Sequence, residues 1–477
     1  METSITEKKK QSLDLKNLGN KEVGKKNFEK AIDYYTEGIS IFPTAILYSN
    51  RSLCHIKLEH YAQALKDADQ AIVLNPDYCK AYYRKGDSLF GLGKFEEAKE
   101  QFKKVVFKRP KDLDSRKKFI ICKKEIEKIQ NSLRLAALVK YTNNSTNWTQ
   151  YEIEKSYNGP RMENDTITKE FCEELINHFK NYKKLPMRYT LKILNDILIL
   201  FQTLKTVTDV TVQEGQNITV VGDIHGQFFD LLRLLEVNGI PSETNMYVFN
   251  GDIVDRGDFS LECVLLVYSF KLLYPEHVHI NRGNHESAQM NYMYGFYREA
   301  EEKIFKEIIP VFEKIFNHLP LVTLINEKIF VCHGGLFPRD DVTLDEIRKI
   351  DRVRQPPQDT YTTPSLFTCL IWSDPGRAKG RSTSPRGTAL IFGPDVTKKF
   401  LKLNNLDLII RSHEMKLAGY EIMHDEKLIT VFSAPNYYGT SGNKGAIVRF
   451  DSNLKKKIIQ FDTVGVKQSG KYGFSMF

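Results

Sequence analysis

Six times beyond residue 215 of this chain, a run of apolar and β-branched residues ends in Asp, His or Asn, usually with glycine close by. Ile218–Val221 lead into Gly-Asp223-Ile-His225-Gly226, and Tyr247–Phe249 into Asn-Gly-Asp252-Ile-Val-Asp255-Arg256-Gly257. His279 and Ile280 lead into Asn-Arg-Gly-Asn284-His285-Glu286, and Ile329–Cys332 into His333-Gly334-Gly335. Leu408–Arg411 lead into Ser-His413-Glu414, and Thr430–Phe432 into Ser-Ala-Pro-Asn436-Tyr437. Short apolar runs bounded by turn residues read as buried strands. A sheet that carries polar side chains at its strand tips holds them rigidly for a ligand, and glycine lets backbone approach an ion or phosphate. One such loop alone is often ordinary turn chemistry; an ordered series is not.

The residue types narrow the ligand. Asp223, Asp252 and Asn284 offer hard oxygens, and His225, His333 and His413 offer borderline nitrogens, a set that suits manganese, iron or zinc. No cysteine takes part, which disfavours structural zinc or an iron–sulfur cluster. Asp252, on its own strand tip, is the natural bridge between two metals. Two such ions, about 3.5–4 Å apart, can share a hydroxide and clamp a phosphoryl group for in-line attack.

The first third has a different texture. Phe28, Tyr61 and Phe95 recur at spacings of 33 and 34, as do Ala31, Ala64 and Ala98, and Pro43, Pro76 and Pro110. Gly19 and Gly86 match in phase, with Ser52 in the middle unit. Small residues let paired helices approach, the aromatic fills the gap and proline stops the second helix. Three in-phase copies predict an all-α tetratricopeptide (TPR) superhelix over 12–112, after a polar tail at 1–11. Lys16/Asn20 and Lys80/Arg84 are i, i+4 pairs that share a helix face, with Asn50 between them in sequence. Cations flanking an amide suit the carboxylates of an acidic peptide, although a solvated basic face is the ordinary reading of one such pair. Residues 1–140 hold 29 Lys and Arg against 19 Asp and Glu, so the whole net charge of +9 originates there. Nucleic acid could exploit that charge, but no aromatic residues interleave with the basic run, and no nucleic-acid partner is expected. Residues 113–140 read as a charged linker helix, 141–170 as a flexible connector, 171–464 as the catalytic domain and 465–477 as a tail.

Composition bounds the setting. A chain of 477 residues implies roughly two to four domains. No apolar run reaches the ~18 residues of a membrane span, and residues 1–10 have no signal-like apolar core. Seven scattered cysteines without a CxxC pair fit a reducing compartment; a cytoplasmic location, with the nucleus left open, and a monomer are expected.

The strand-tip motifs resemble those of the phosphoprotein phosphatase (PPP) family of metallophosphoesterases over about 175–460, and the N-terminal repeats narrow the resemblance to its TPR-containing members. The resemblance implies an α/β catalytic domain of two mixed β-sheets sandwiched by helices. It implies hydrolysis of phosphoserine and phosphothreonine in phosphoprotein substrates, by direct attack of a hydroxide bridging two divalent metal ions. By position, Asp223, His225 and Asp252 would hold one ion, and Asp252, Asn284, His333 and His413 the other. His285, oriented by Asp255, would be the general acid; Arg256 and Arg386 would grip the phosphate; Tyr437 would line the mouth. Lys16, Asn20, Asn50, Lys80 and Arg84 match the carboxylate clamp of co-chaperone TPR domains, which hold the acidic C-terminal tail of heat-shock protein 90. The family also implies autoinhibition by the TPR domain, with Glu59 reaching the catalytic arginines. Tyr438 stands where the family usually has cysteine, Gln358–Thr363 form an insert, and the tail is short. The competing readings are a nucleotide-directed metallophosphoesterase and a non-catalytic chaperone adaptor.

Overall fold

A computed structural model describes residues 2–139, 148–357, 359 and 363–465. Residues 140–147 of the expected connector, most of the Gln358–Thr363 insert and residues 466–477 of the tail lie outside the described residues. The chain divides into two compact units, the first Met1–Tyr141 with Ser384–Thr388 and the second Thr142–Thr383 with Ala389–Phe477. No described helix is long and apolar enough to cross a membrane.

The first unit is a row of antiparallel helices: α1 Glu2–Gly24, α2 Phe28–Ile41, α3 Ala45–Lys57, α4 Tyr61–Leu74, α5 Cys79–Gly91, α6 Phe95–Lys108 and α7 Leu113–Val139. The repeated aromatic opens the second helix of each pair, at Phe28, Tyr61 and Phe95, and the repeated Ala31, Ala64 and Ala98 are fully buried. Gly86 shows why a small residue is needed: a Cβ there would sit 2.8 Å from the Phe102 ring of α6. Ser52 donates from Oγ to Ala64 O at 2.8 Å, tying α3 to α4. The helix that begins each repeat touches the next one, α1 with α3 and α3 with α5, so these helices share one face.

The second unit is α/β. Its strands begin with β1 Val207–Val210, β2 Asn217–Val221, β3 Asn245–Phe249, β4 Val278–Ile280, β5 Val322–Ile325, β6 Ile329–Cys332 and β7 Asp374–Pro375. They continue with β8 Arg381–Thr383, β9 Leu390–Phe392, β10 Leu408–Arg411, β11 Tyr420–Met423, β12 Leu428–Val431, β13 Gly445–Asp451 and β14 Lys456–Phe461. One mixed sheet runs β1-β5-β6-β10-β12-β11 and a second runs β14-β13-β2-β3-β4. A third sheet of three short strands, β7-β9-β8, was not anticipated from the sequence.

Period-2 alternation explains the layering. Ile218 and Val220 of β2, Met246 and Val248 of β3, Ile410 of β10 and Ile429 and Val431 of β12 form one core between the two large sheets. Alternate residues turn outward: Val221, Tyr247 and Phe249 pack under a helical layer that includes α8 Lys169–Lys180, α9 Met187–Thr203, α10 Phe228–Asn238 and α11 Ser260–Leu273. Phe330, Ile409 and Leu428 pack on the opposite outer layer. Strands β2, β3 and β4 are parallel, as are β6, β10 and β12, so each set ends on one edge of its sheet. An isolated parallel bridge between Asp223 and Phe432 joins the tip of β2 to that of β12, bringing the two edges together.

Candidate active site

All six strand-tip clusters lie on this joined edge. Their backbone is held in a conformation that side chains rarely adopt: φ is +48° at His225, +51° at Asp252, +68° at His413 and +44° at Asn436. Ladders and caps overdetermine these loops. Ser433 Oγ accepts from Gly222 N at 2.8 Å, and Asp223 Oδ1 accepts from His413 N at 3.0 Å.

Two buried groups able to hold a metal ion overlap here, and Asp252 belongs to both. One joins Asp252 to His333 and His413; the other joins it to His225 and His285. Asp252 Oδ2 lies 3.3 Å from His333 Nε2 and 3.6 Å from His225 Nε2. Asp223 Oδ2 is 3.6 Å from His225 Nε2, and Asn284 Oδ1 is 2.9 Å from His333 Nε2. The six expected ligands are thus brought together. His285, to which the resemblance gives proton transfer, belongs to the same buried cluster, with its ring centroid 4.7 Å from that of His225.

The electrostatics fit a cation. Burial opposes charge on Asp252, yet the imidazoles of His333 and His285 outweigh it and hold the carboxylate far below its ordinary range. Burial likewise opposes charge on His333, and the Asp252 carboxylate overrides it, pushing the imidazole up to about 9. The cluster therefore favours positive charge at its centre, the charge that divalent cations bring. Two of the histidines are oriented from behind, His225 Nδ1 by Val254 O at 3.0 Å and His333 Nδ1 by Asn250 O at 2.8 Å.

Beside this cluster, His285 Nδ1 meets Asp255 Oδ2 at 2.8 Å. Asp255 also accepts from Phe296 N at 2.9 Å and from Asn291 Nδ2 at 3.1 Å. Burial pushes the Asp255 carboxyl up and the His285 imidazolium down, opposed by Arg256 and Asp252 respectively. The Arg256 guanidinium lies 3.6 Å from the centroid of the Tyr294 ring, and the Tyr437 ring stacks on His225 at 5.2 Å. Arg386 stands on the β8–β9 loop, its N–H bonded to Ser384 Oγ at 3.2 Å.

The family profiles and the known relatives agree with this geometry. The calcineurin-like phosphoesterase profile matches residues 216–417, a tetratricopeptide repeat profile matches 80–106, and a profile for the TPR repeat region of serine/threonine-protein phosphatase 5 matches 120–209. Human serine/threonine-protein phosphatase 5 is 43% identical over 459 residues, spanning 95% of this chain and 91% of its own. The chain belongs to the serine/threonine-protein phosphatase 5 family. Serine/threonine-protein phosphatase T of Trypanosoma brucei brucei is 41% identical over 460 residues, covering 94% of each chain. A solved Saccharomyces cerevisiae serine/threonine phosphatase superposes with a TM-score of 0.59 at 39% identity, covering 62% of this chain and 96% of its own. The protein is a metal-dependent serine/threonine phosphatase whose buried His/Asp groups are consistent with a binuclear centre.

Sequence reasoning left supporting residues of the phosphatase unassigned. Glu286 accepts from the N–H groups of Asp252 (2.8 Å), Ile253 (2.9 Å) and Gly283 (2.9 Å), clamping the β3 and β4 loops together. Asn250 donates to Cys332 O at 2.8 Å and to Ser412 Oγ at 2.9 Å, and Asn281 donates to Asn250 Oδ1 at 2.9 Å. The available signal was a polar residue closing each apolar strand. In the helical unit, Lys16 and Asn20 lie on α1, Asn50 on α3, and Lys80 and Arg84 on α5. Asn50 Nδ2 donates to Asn20 Oδ1 at 3.0 Å, and Arg84 lies 3.8 Å from Asp87 on its own helix. Glu59 sits at φ +60° in the turn between α3 and α4.

Proposed function

We propose that the phosphatase hydrolyses phosphoserine and phosphothreonine at the strand-tip cluster, with Asp223, His225, Asp252, Asn284, His333 and His413 holding two divalent cations, manganese in preference to iron or zinc. The carrying observation is that Asp252 belongs to both buried groups while His285, a member of one of them, is paired with Asp255 at 2.8 Å. Bound there, the cations supply Lewis-acid polarisation of the phosphoryl group and a more acidic water, so the attack needs no protein nucleophile. Asp255 fixes the His285 ring through Nδ1, leaving Nε2 to hand a proton to the departing serine or threonine oxygen. Arg256 and Arg386 take the phosphate oxygens with their guanidinium forks, and Tyr437 borders the mouth. Cys332, adjacent in sequence to His333, is buried with its thiol pushed up to about 12, which speaks against a cysteine nucleophile.

The helical unit receives the acidic C-terminal tail of heat-shock protein 90 through Lys16, Asn20, Asn50, Lys80 and Arg84. It also restrains the enzyme through Glu59 until that tail binds. This part rests on residue types and on the placement of the five residues on the neighbouring helices α1, α3 and α5.

The test is manganese-dependent hydrolysis of a phosphoserine peptide, with and without the chaperone's acidic pentapeptide. His285→Asn is expected to lower turnover by 10²–10⁴-fold, Arg84→Ala to lose peptide stimulation, and Glu59→Ala to raise the basal rate several-fold. Turnover unaffected by His285→Asn removes the assigned acid. Full activity indifferent to the peptide removes the gating and leaves the enzyme.

A further inference from the structure

An aromatic and cationic belt closes around the candidate site. The His225 ring stacks on Tyr437, with centroids 5.2 Å apart, and Tyr437 meets Tyr438 at 4.2 Å. The Arg256 guanidinium lies 5.3 Å from the Tyr438 centroid and 3.6 Å from that of Tyr294. Tyr294 meets His285 at 5.1 Å, and His285 returns to His225 at 4.7 Å. Arg256 is thus held between two tyrosines contributed by distant segments. Tyr294 ends α12 Ala288–Tyr294, and Tyr438 stands on the loop between β12 and β13.

The backbone is strained at both partners. Tyr438 has φ +56° and Arg256 φ +73°, a left-handed region that bulky side chains rarely adopt. Asn443 pins the loop: its Oδ1 accepts from Tyr437 N at 2.9 Å, its carbonyl accepts from Asn436 N at 2.8 Å and its Nδ2 donates to Ala434 O at 2.9 Å. From the other side, Arg256 N donates to Tyr294 O at 3.0 Å. Two strained loops therefore turn a ring and a guanidinium toward each other.

We infer that Tyr438 is a positioning residue which, with Tyr294, fixes the plane of the Arg256 guanidinium so that its N–H edge is presented in advance to a phosphate monoester. A free arginine loses considerable rotamer freedom when it takes an anion; one already packed between aromatic faces loses less, and the difference appears as anion affinity. The ring face supplies this effect, not the phenol oxygen, because a cation over an aromatic face is drawn to the ring quadrupole. The inference rests on the reading of Arg256 as a phosphate-binding group.

The experiment compares the full chain with Tyr438→Leu, Tyr438→Phe and Arg256→Ala in manganese. It reads the inhibition constant of inorganic phosphate, KM and kcat for a phosphoserine peptide, and the thermal unfolding midpoint. Tyr438→Leu is expected to raise the phosphate inhibition constant and KM about fivefold, the scale of one partly desolvated cation–π contact, with kcat changed much less. Tyr438→Phe restores both constants. If Arg256→Ala weakens phosphate binding while Tyr438→Leu does not, the positioning role is wrong and the reading of Arg256 survives. If Arg256→Ala leaves phosphate binding intact, that reading fails and takes this inference with it. Equal loss in Tyr438→Phe and Tyr438→Leu assigns the effect to the hydroxyl and overturns the proposal. Should Tyr438→Leu lower the unfolding midpoint, Tyr438→Met takes its place; loss of phosphate affinity only in step with loss of stability also overturns it.

Discussion

At the scale of single residues, the site depends on close backbone approach as much as on its ligands. A Cβ at Gly283 would collide with Asp252 Oδ1 and come within 2.8 Å of Glu286 Oε2. Gly283→Ala must therefore push aside either the shared carboxylate or the clamp behind it. The expected outcome is a destabilisation of about 1–3 kcal/mol with manganese affinity weakened about 10–100-fold, read from a metal titration of activity beside thermal unfolding. Unchanged metal affinity would show that Asp252 relaxes freely. The identities of Asp252, His333 and His413 were legible because Asp and His seldom end buried apolar runs without a task. The clamp by Glu286 was not, since its partners are backbone groups of segments up to 34 positions away.

At the scale of elements, periodicity carried the reading. The 33–34-residue recurrence of aromatic, alanine and proline located the helix pairs, and Phe28, Tyr61 and Phe95 open α2, α4 and α6. What periodicity could not reveal is the polar link inside the second pair. His55 is buried on α3, its Nε2 3.9 Å from Asp67 of α4, and Arg51 grips the same carboxylate at 2.8 Å. Burial pulls the His55 pKa down to about 4, with Asp67 opposing and Arg51 reinforcing. The unfolded chain, titrating near the ordinary value of about 6.5, binds the extra proton first. Stability is therefore whole above about pH 6.5 and declines as pH falls toward 4. Between pH 6.5 and 5 the loss is on the order of 2 kcal/mol. Hydrogen exchange in α3 and α4, corrected for intrinsic rates, is expected to speed up over that interval, and His55→Gln should flatten the dependence. Equal pH dependence in the variant would acquit His55.

At the scale of the whole molecule, charge is divided unevenly along the chain. The first 140 residues carry 29 basic against 19 acidic side chains, whereas the remainder is nearly balanced. An acidic pentapeptide should bind the full chain with an affinity that falls about 3–10-fold from 50 to 200 mM salt, because exposed charges are screened over about 10 Å at 0.1 M. Arg84→Ala should lower both the affinity and the salt dependence. Salt-independent binding would mean that apolar contacts, not the clamp, hold the peptide.

The α/β class of the second unit came through the family resemblance, whereas the sequence by itself determined the solenoid and the six strand tips. Each of these is a one-dimensional pattern: a 33–34-residue period, apolar runs, and polar residues that close them. Tertiary structure decided which tips meet. The β2–β3 pairing brings His225 to Asp252 within one sheet, whereas the meeting of the two sheet edges, marked by the Asp223–Phe432 bridge between partners 209 positions apart, brings His333 to the same carboxylate. It also decided the small third sheet, the Glu286 clamp and the Tyr294–Arg256–Tyr438 sandwich. The reason is physical. Strand periodicity is written locally, in alternation of side chains, whereas convergence at a site depends on sheet pairing and left-handed loop residues that no local pattern encodes.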